Sequence, residues 1–178
     1  MADFLTAFQW MMQWEDSRLE CAVVPDSTPA GATPPCYAIS GINSGSFPLD
    51  YEAIAALPQG SRLSAVRQFY QNQFWNNWFD QMISDDVAKR VFDFAVNGGP
   101  GTAVKTLQRA VNALGGDLTV DGGWGPNTLA AANAADQAAL QQAFINARVA
   151  YYQQIAANNS SEAQYLGVWT ARAQKQDA

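Results

Sequence analysis

Three residues near the N-terminus have side chains that could cleave a glycosidic bond: Glu15, Asp26 and Thr33. Glu15 follows Trp14 at the end of a helical pattern, where partial burial would favour the protonated carboxyl of a general acid. Asp26 lies in a proline-flanked loop, where contact with water would favour the carboxylate. Glycoside hydrolysis uses such a pair, because one carboxyl protonates the leaving oxygen and the other activates water or stabilises the transition state. Thr33 would hold that water through its hydroxyl.

Spacing alone leaves a second interpretation open, in which Glu15 is a solvated helix residue, Asp26 a turn former and Thr33 an ordinary loop residue. Any acid–base chemistry must nevertheless come from carboxylates, because the sequence contains no histidine. Such a chain lacks the usual general base, the Ser-His and Cys-His nucleophile pairs and the commonest zinc ligand. Carboxylate chemistry of this kind needs no metal and no cofactor.

The composition is that of a folded domain. The 178 residues include 48% hydrophobic and 12% aromatic residues, enough for the core of one domain with or without a small appendage. A net charge of −6 without a cluster of Lys and Arg argues against a nucleic-acid partner. No apolar run approaches the roughly 20 residues that span a membrane, so we expect no membrane insertion.

The elements that must position these residues are mostly helical. Apolar residues recur at three- and four-residue spacing from Phe4 onward, which predicts an amphipathic helix over residues 3–18. Glycines and prolines interrupt residues 19–47, which favours short strands and loops there. The rest is helical, and Ser84 is the predicted N-cap of the helix that begins at Asp85. The turn at Gly98–Gly101 is the best seam between a front region, 1–99, and a small back subdomain, 100–178. The predicted fold class is mainly α, with one small β region near the N-terminus.

Two cysteines, Cys21 and Cys36, flank the irregular segment. Their placement on either side of the loop predicts one disulfide that closes it, which would imply an oxidising compartment. The alternative is two independent buried thiols.

Longer stretches resemble glycoside hydrolase family 108, whose members have a helix-end E-G-G-Y motif and a later G-G-A-T-x-Y-G-I segment. The second segment is AGATPPCYAIS here, from Ala30 to Ser40, and the following aromatic helix matches RQFYQNQFWNNWFDQM, from Arg67 to Met82. The family signature V-F-D-F-A-V-N-S-G-P is VFDFAVNGGP, from Val91 to Pro100. The tail LQRAVNALGGDLTVDGGWGPNTLAAAN, from Leu107 to Asn133, resembles the peptidoglycan-binding subdomain of the family.

The resemblance implies a lysozyme-like α+β fold and a muramidase that cleaves the β-1,4 bond between N-acetylmuramic acid and N-acetylglucosamine. Glu15 would be the general acid, Asp26 the second carboxylate and Thr33 the residue that positions water.

Four further residues would bind substrate: Tyr37, Asp93, Asn97 and Trp124. Tyr37 would stack on a sugar, and Asp93 and Asn97 would share one face of a helix that lines the cleft. Alternatively, Asp93 pairs with an arginine in a purely structural role. Trp124 would offer a sugar-binding face in the back subdomain, or else would plug the core beneath its loop.

The departures from the family pattern concern the same region. The E-G-G-Y motif is Glu15-Asp16-Ser17-Arg18, so the backbone freedom of two glycines is lost. The loop between Glu15 and Tyr37 is also longer than in the family. A catalytically inactive peptidoglycan-binding module is therefore the alternative function.

The N-terminal segment MADFLTAFQWMMQW has no basic region and does not resemble a cleavable signal peptide. We therefore expect synthesis in the cytoplasm and action in the periplasm or cell wall after delivery by a secretion system or phage lysis. The expected partners are peptidoglycan glycan strands, a component of the delivery machinery and, for a secreted effector, a cognate immunity protein that blocks the cleft.

Overall fold

The computed structural model describes residues 1–175, and the chain within it forms two compact units. The first unit is contiguous and runs from Phe8 to Asn76, whereas the second combines residues 1–7 with the chain from Asn77 onward. The predicted seam at Gly98–Gly101 falls inside the second unit.

The Phe8–Asn76 unit contains the sheet and the early helices. Its elements, with the helix that leads into it, are α1 (Phe4–Glu15), β1 (Val23–Asp26), β2 (Cys36–Ile39), β3 (Ile42–Asn43), α2 (Pro48–Ala55) and α3 (Arg62–Phe74), with a turn of 3₁₀ helix at Gln59–Ser61.

Helix α1 buries one face, as its apolar spacing predicts. Phe8, Met11 and Met12 are almost fully buried. The helix ends at Glu15 instead of continuing to residue 18, because the Asp16 side chain accepts hydrogen bonds from the backbone N–H groups of Glu20 and Cys21. These bonds turn the chain back on itself immediately after Glu15, so Glu15 is the last residue of the helix.

The three strands form an antiparallel sheet in the order β1-β2-β3. Val23 pairs with Ile39 and Asp26 with Cys36, and the tight turn after Ile39 brings Ile42 back against it. Ile39 and Ile42 are fully buried, whereas β1 is exposed along its length. The sheet therefore covers the core through β2 and β3.

The predicted disulfide between Cys21 and Cys36 is wrong: both residues are free, buried thiols. Cys36 stands opposite Asp26, whereas Cys21 precedes Val23 at the other end of the ladder. Strand β1 alone covers roughly 10 Å, and a disulfide requires Cα atoms within about 7 Å of each other. The alternative of two independent thiols is correct.

The second unit is helical apart from its loops. Beyond residues 1–7 it contains α4 (Asp85–Gly98), α5 (Pro100–Ala113), α6 (Pro126–Ala134), α7 (Gln137–Asn158) and α8 (Leu166–Gln174), with turns of 3₁₀ helix at Phe79–Gln81 and Ala163–Tyr165. Ser84 caps α4 as predicted, because its side chain accepts a hydrogen bond from the backbone N–H of Val87. The predicted fold class, mainly α with a small β region near the N-terminus and a helical C-terminal subdomain, is confirmed. None of the helices within residues 1–175 is long and apolar enough to cross a membrane.

A buried ion network joins three helices of this unit. Asp93 on α4 is completely buried, and its carboxylate accepts hydrogen bonds from Arg148 on α7 at 2.7 Å and from Arg172 on α8 at 2.7 and 3.0 Å. Arg148 also donates to the Tyr152 hydroxyl, which in turn donates to Asn97, one turn along α4 from Asp93. Asp93 thus adopts the structural alternative, an arginine pair.

We expect Asp93→Ala to destabilise this unit by about 3–5 kcal/mol, because it removes the carboxylate that both Arg148 and Arg172 bind in the interior. Urea unfolding measures the change. As the control, Asp117→Ala removes an exposed carboxylate and should change the free energy of unfolding by about 0.5 kcal/mol or less. Equal, small changes in both variants would contradict a central role for the network.

Candidate functional site

The Glu15 carboxylate lies against the turn between β2 and β3. A Cβ atom added at Gly41 would lie 2.5 Å from Glu15 Oε2 and 2.8 Å from the Tyr70 hydroxyl oxygen. The Glu15 oxygen and the Tyr70 oxygen therefore both lie against the Gly41 backbone. Glu15 is half-buried at the last position of α1. The site therefore requires glycine at position 41 for space, and also for its φ of +83°.

The turn itself is held from two sides. The Ser40 hydroxyl donates to Asp16 Oδ2 at 2.8 Å, and the Ser40 carbonyl accepts from the buried Tyr70 hydroxyl at 2.8 Å. Helix α1 and helix α3 thus both position the backbone on which Glu15 rests.

Asp16 serves this turn as a hydrogen-bond acceptor. Partial burial opposes its ionisation, but hydrogen bonds from the Cys21 backbone, the Ser40 hydroxyl and the Glu20 backbone outweigh that effect and hold its pKa below the ordinary value. Where the motif of the family that the sequence resembles has glycine, a hydrogen-bonded carboxylate directs the chain here.

Asp26 lies at the end of β1, exposed to solvent as predicted. Its Oδ2 accepts a hydrogen bond from Asn43 Nδ2 at 2.7 Å, and its Oδ1 accepts from the Ser27 backbone N–H at 2.7 Å. Asn43 is buried on β3, where its amide also donates to the Ser27 carbonyl and accepts from the Gly45 and Ser46 N–H groups. The whole Asn43 amide is therefore used in fixing Asp26 and its loop.

Glu15 and Asp26 consequently contact the same short segment of chain. Glu15 rests on Gly41, and Asp26 is held by Asn43, two residues farther along. Two residues of extended chain cover about 7 Å. The sheet thus brings the two predicted catalytic carboxylates to one hairpin.

Thr33 and Tyr37 are both exposed. Thr33 lies in the loop between β1 and β2, and within residues 1–175 its hydroxyl makes no hydrogen bond. Tyr37 is on β2 opposite Pro25, near Tyr51 on α2. Burial raises the pKa of Tyr51, Arg62 opposes the rise and Tyr37 adds to it. The structure leaves the sugar-stacking and water-positioning roles as predictions.

The remaining predicted residues belong to the second unit. Asp93 and Asn97 take part in the buried network with Arg148 and Tyr152. Trp124 has one ring face stacked on Phe79, with centroids 4.8 Å apart, and its Nε1 is buried without a hydrogen-bond partner in residues 1–175. It also lines a groove. The packing role is therefore observed, and the sugar-binding role stays a prediction.

This groove has a volume of about 370 Å³ and is formed by the loop that leads into α6. Its lining consists of Gln108, Asp117, Leu118, Thr119, Asp121 and residues 123–128. Gln108 fixes the loop from below: its amide donates to Asp121 Oδ1 at 2.8 Å and to the Gly123 carbonyl, and it accepts from the Gly122 N–H.

Two of these positioning residues escaped the sequence analysis. Asn43 occurs in GINSGS, where an asparagine before a Ser-Gly pair is typical of a side chain that bonds the backbone of a turn. Gln108 had no comparable local signal, because its partners lie 13 to 20 residues away along the chain.

We expect Gly41→Ala to destabilise the protein by at least about 1 kcal/mol more than Gly31→Ala. Both glycines have nearly the same φ, +83° and +84°, so both variants carry the cost of a left-handed alanine. Only the methyl group at position 41 collides with Glu15 and Tyr70, since position 31 has nothing within 4 Å. Urea denaturation of the two variants measures the difference, and equal destabilisation would contradict the contact.

The lowered pKa of Asp16 predicts a specific pH dependence. Its contribution to stability is present above the unfolded-state pKa, near 3.8, and is lost as the pH falls through the lower folded-state value. The Asp16→Asn variant should therefore lose less stability than the wild type below about pH 4. Thermal unfolding across this range tests the expectation, with Glu52→Gln, an exposed carboxylate on α2, as the control. Parallel curves for Asp16→Asn and the wild type would refute it.

Comparison with known proteins points to peptidoglycan as the polymer with which the chain associates. Residues 102–174 match a family model described as a predicted peptidoglycan domain, which supports an association with peptidoglycan. No curated protein sequence matches the chain. Among solved structures, the chain is similar to Brucella abortus SagA, with a TM-score of 0.64 and 21% identity over 96% of this chain and 92% of the other. At this identity the likeness shows a shared fold.

Proposed function

We propose that this chain is a peptidoglycan hydrolase, a muramidase that cleaves the β-1,4 bond between N-acetylmuramic acid and N-acetylglucosamine. The observation that carries the proposal is the placement of Glu15 and Asp26 on one hairpin, against Gly41 and Asn43. The match of residues 102–174 to a predicted peptidoglycan domain supports the choice of polymer. Membership of glycoside hydrolase family 108 is part of the proposal and rests on the motifs in residues 30–100.

The unlike environments of the two carboxyl groups suit unlike roles. Glu15 is half-buried at a helix end and would protonate the glycosidic oxygen as the bond to the anomeric carbon breaks. Asp26 is exposed, and it accepts hydrogen bonds from the Asn43 amide, the Ser27 N–H and the Ser27 hydroxyl. It would take a proton from the attacking water or stabilise the positive charge on the sugar ring.

Thr33 and Tyr37 complete the proposed site. The exposed Thr33 hydroxyl would orient the attacking water, and the Tyr37 ring, 39% exposed, would offer its face to a sugar. Neither role requires a metal or a cofactor.

A second candidate function is a peptidoglycan-binding module without catalytic activity. The observation that favours it is the use of Asp16, at a glycine position of the family motif, as a rigid part of the turn. A rigid turn next to Glu15 could hinder the substrate where two glycines would yield.

The proposal extends to the biological setting, for which the substrate suggests only the compartment. The protein would act in the periplasm or cell wall after delivery by a secretion system or a phage, and an immunity protein covering Glu15 and Asp26 would protect the producer.

We expect Glu15→Gln to reduce the release of soluble fragments from purified sacculi by at least about 100-fold, because the amide cannot protonate the leaving oxygen. The control, Glu52→Gln, removes an exposed glutamate from α2 in the same unit and should retain wild-type activity. Circular dichroism confirms that both variants are folded. Mass spectrometry of the fragments should show reducing N-acetylmuramic acid at their ends.

Three outcomes would redirect the assignment. Reducing N-acetylglucosamine at the fragment ends would indicate a glucosaminidase. Wild-type activity in Glu15→Gln would remove Glu15 from the mechanism. Binding to sacculi without any release by the folded wild type would establish the binding module instead.

A further inference from the structure

The groove in front of α6 offers hydrogen-bond donors along one side. Helix α6 begins at Pro126, and no side chain caps its N-terminus. The first backbone N–H of this turn with an intrachain acceptor is that of Leu129, which bonds the Gly125 carbonyl. The N–H groups of Asn127 and Thr128 have no acceptor within residues 1–175. Both residues line the groove, which makes these N–H groups candidate donors to a carbonyl oxygen of a ligand.

Acceptors are present in the same groove. Asp121 Oδ1 is occupied by Gln108 and by the Gly123 N–H, whereas its Oδ2 has no hydrogen bond from residues 1–175. The Gln108 amide and the Gly123 N–H hold the pKa of Asp121 below its ordinary value, so the side chain is a carboxylate at neutral pH. Asp117 adds a second exposed carboxyl group.

The charge of the lining selects against charged ligands. It contains Asp117 and Asp121 and neither lysine nor arginine, so no side chain of the lining supplies a counter-charge for a ligand carboxylate. A cation would meet the positive end of the α6 dipole, and Lys105 already acts electrostatically on Asp121. A neutral ligand with a carbonyl acceptor and N–H or O–H donors could bind both the N–H groups at the start of α6 and the two carboxylates.

Aromatic surface completes the groove. Trp124 is fixed by stacking on Phe79, and its remaining surface forms one wall. The volume of about 370 Å³ is at the small end of ligand sites, which suits one sugar residue.

We propose that this groove binds one neutral N-acetylhexosamine residue of the glycan strand. The acetamido carbonyl would accept from the Asn127 and Thr128 N–H groups, the sugar donors would bond Asp117 and Asp121, and the pyranose ring would pack on Trp124. The inference rests on the proposed function in taking peptidoglycan as the ligand, but it does not depend on cleavage. The second unit would then recognise the sugar of peptidoglycan rather than its stem peptide.

The test is an NMR titration of ¹⁵N-labelled full-length Glu15→Gln protein with N,N′-diacetylchitobiose. The amide signals of Gly123, Trp124, Gly125, Asn127 and Thr128 should shift together. Replacing Asp117 with Ala in this background should weaken the binding about tenfold, the loss expected for one hydrogen bond to a charged group. Glu52→Ala, an exposed carboxylate outside the groove, should leave the affinity unchanged.

Two comparison ligands test the chemistry. The fully deacetylated disaccharide, a dication without carbonyl groups, should not shift the groove signals. A stem tetrapeptide without sugar, which is anionic, should not shift them either.

Absence of groove shifts with the diacetylated disaccharide at millimolar concentration would overturn the inference, as would an equal response to either comparison ligand. Fragment release by the wild type is measured separately. Groove shifts without cleavage would leave the inference standing and remove the hydrolase, whereas cleavage with shifts confined to residues 8–76 would do the reverse.

Discussion

The contact between the Glu15 carboxylate and the bare backbone of Gly41 is the constraint on which the proposed active site depends. Because no side chain separates them, α1 can end directly against the sheet. The Ser40–Gly41 turn can hold this position because Asp16 binds it from the helix end and Tyr70 from α3. The sheet therefore acts as a support. Its Ser40–Gly41 turn is fixed by the end of α1 and by α3, and it fixes the Glu15 carboxyl group in turn.

The same turn differs from the glycine-rich motif of glycoside hydrolase family 108, which the sequence resembles. Two glycines after the glutamate would let the backbone turn without assistance, whereas Asp16 turns it through hydrogen bonds to Glu20, Cys21 and Ser40. In this chain hydrogen bonds therefore do what glycine flexibility does in that motif. Whether the more rigid turn still admits substrate beside Glu15 decides between the two candidate functions.

Local patterns in the sequence predicted the elements well and their junctions poorly. The apolar spacing of α1 and the serine cap of α4 depend on neighbouring residues, so they could be recognised. The end of α1 at Glu15 could not, because it depends on the bonds of Asp16 to residues beyond the helix. The disulfide failed for the same reason: the positions of Cys21 and Cys36 depend on the strand register. Asp93 carried a strong family signal, but its arginine partners lie 55 and 79 residues away.

The Asp93 network also links distant parts of the chain within the second unit. The Phe8–Asn76 unit is contiguous, whereas the other unit joins residues 1–7 to the chain from Asn77 onward. Within it, Asp93 pairs with Arg148, 55 residues later, and with Arg172, 79 residues later. Until Arg172 has been synthesised, Asp93 lacks one of its two arginine partners, and burying a carboxylate with less counter-charge costs free energy. A chain cut before α8 would therefore keep the hairpin that holds Glu15 and Asp26 but would lack part of the network that stabilises the second unit.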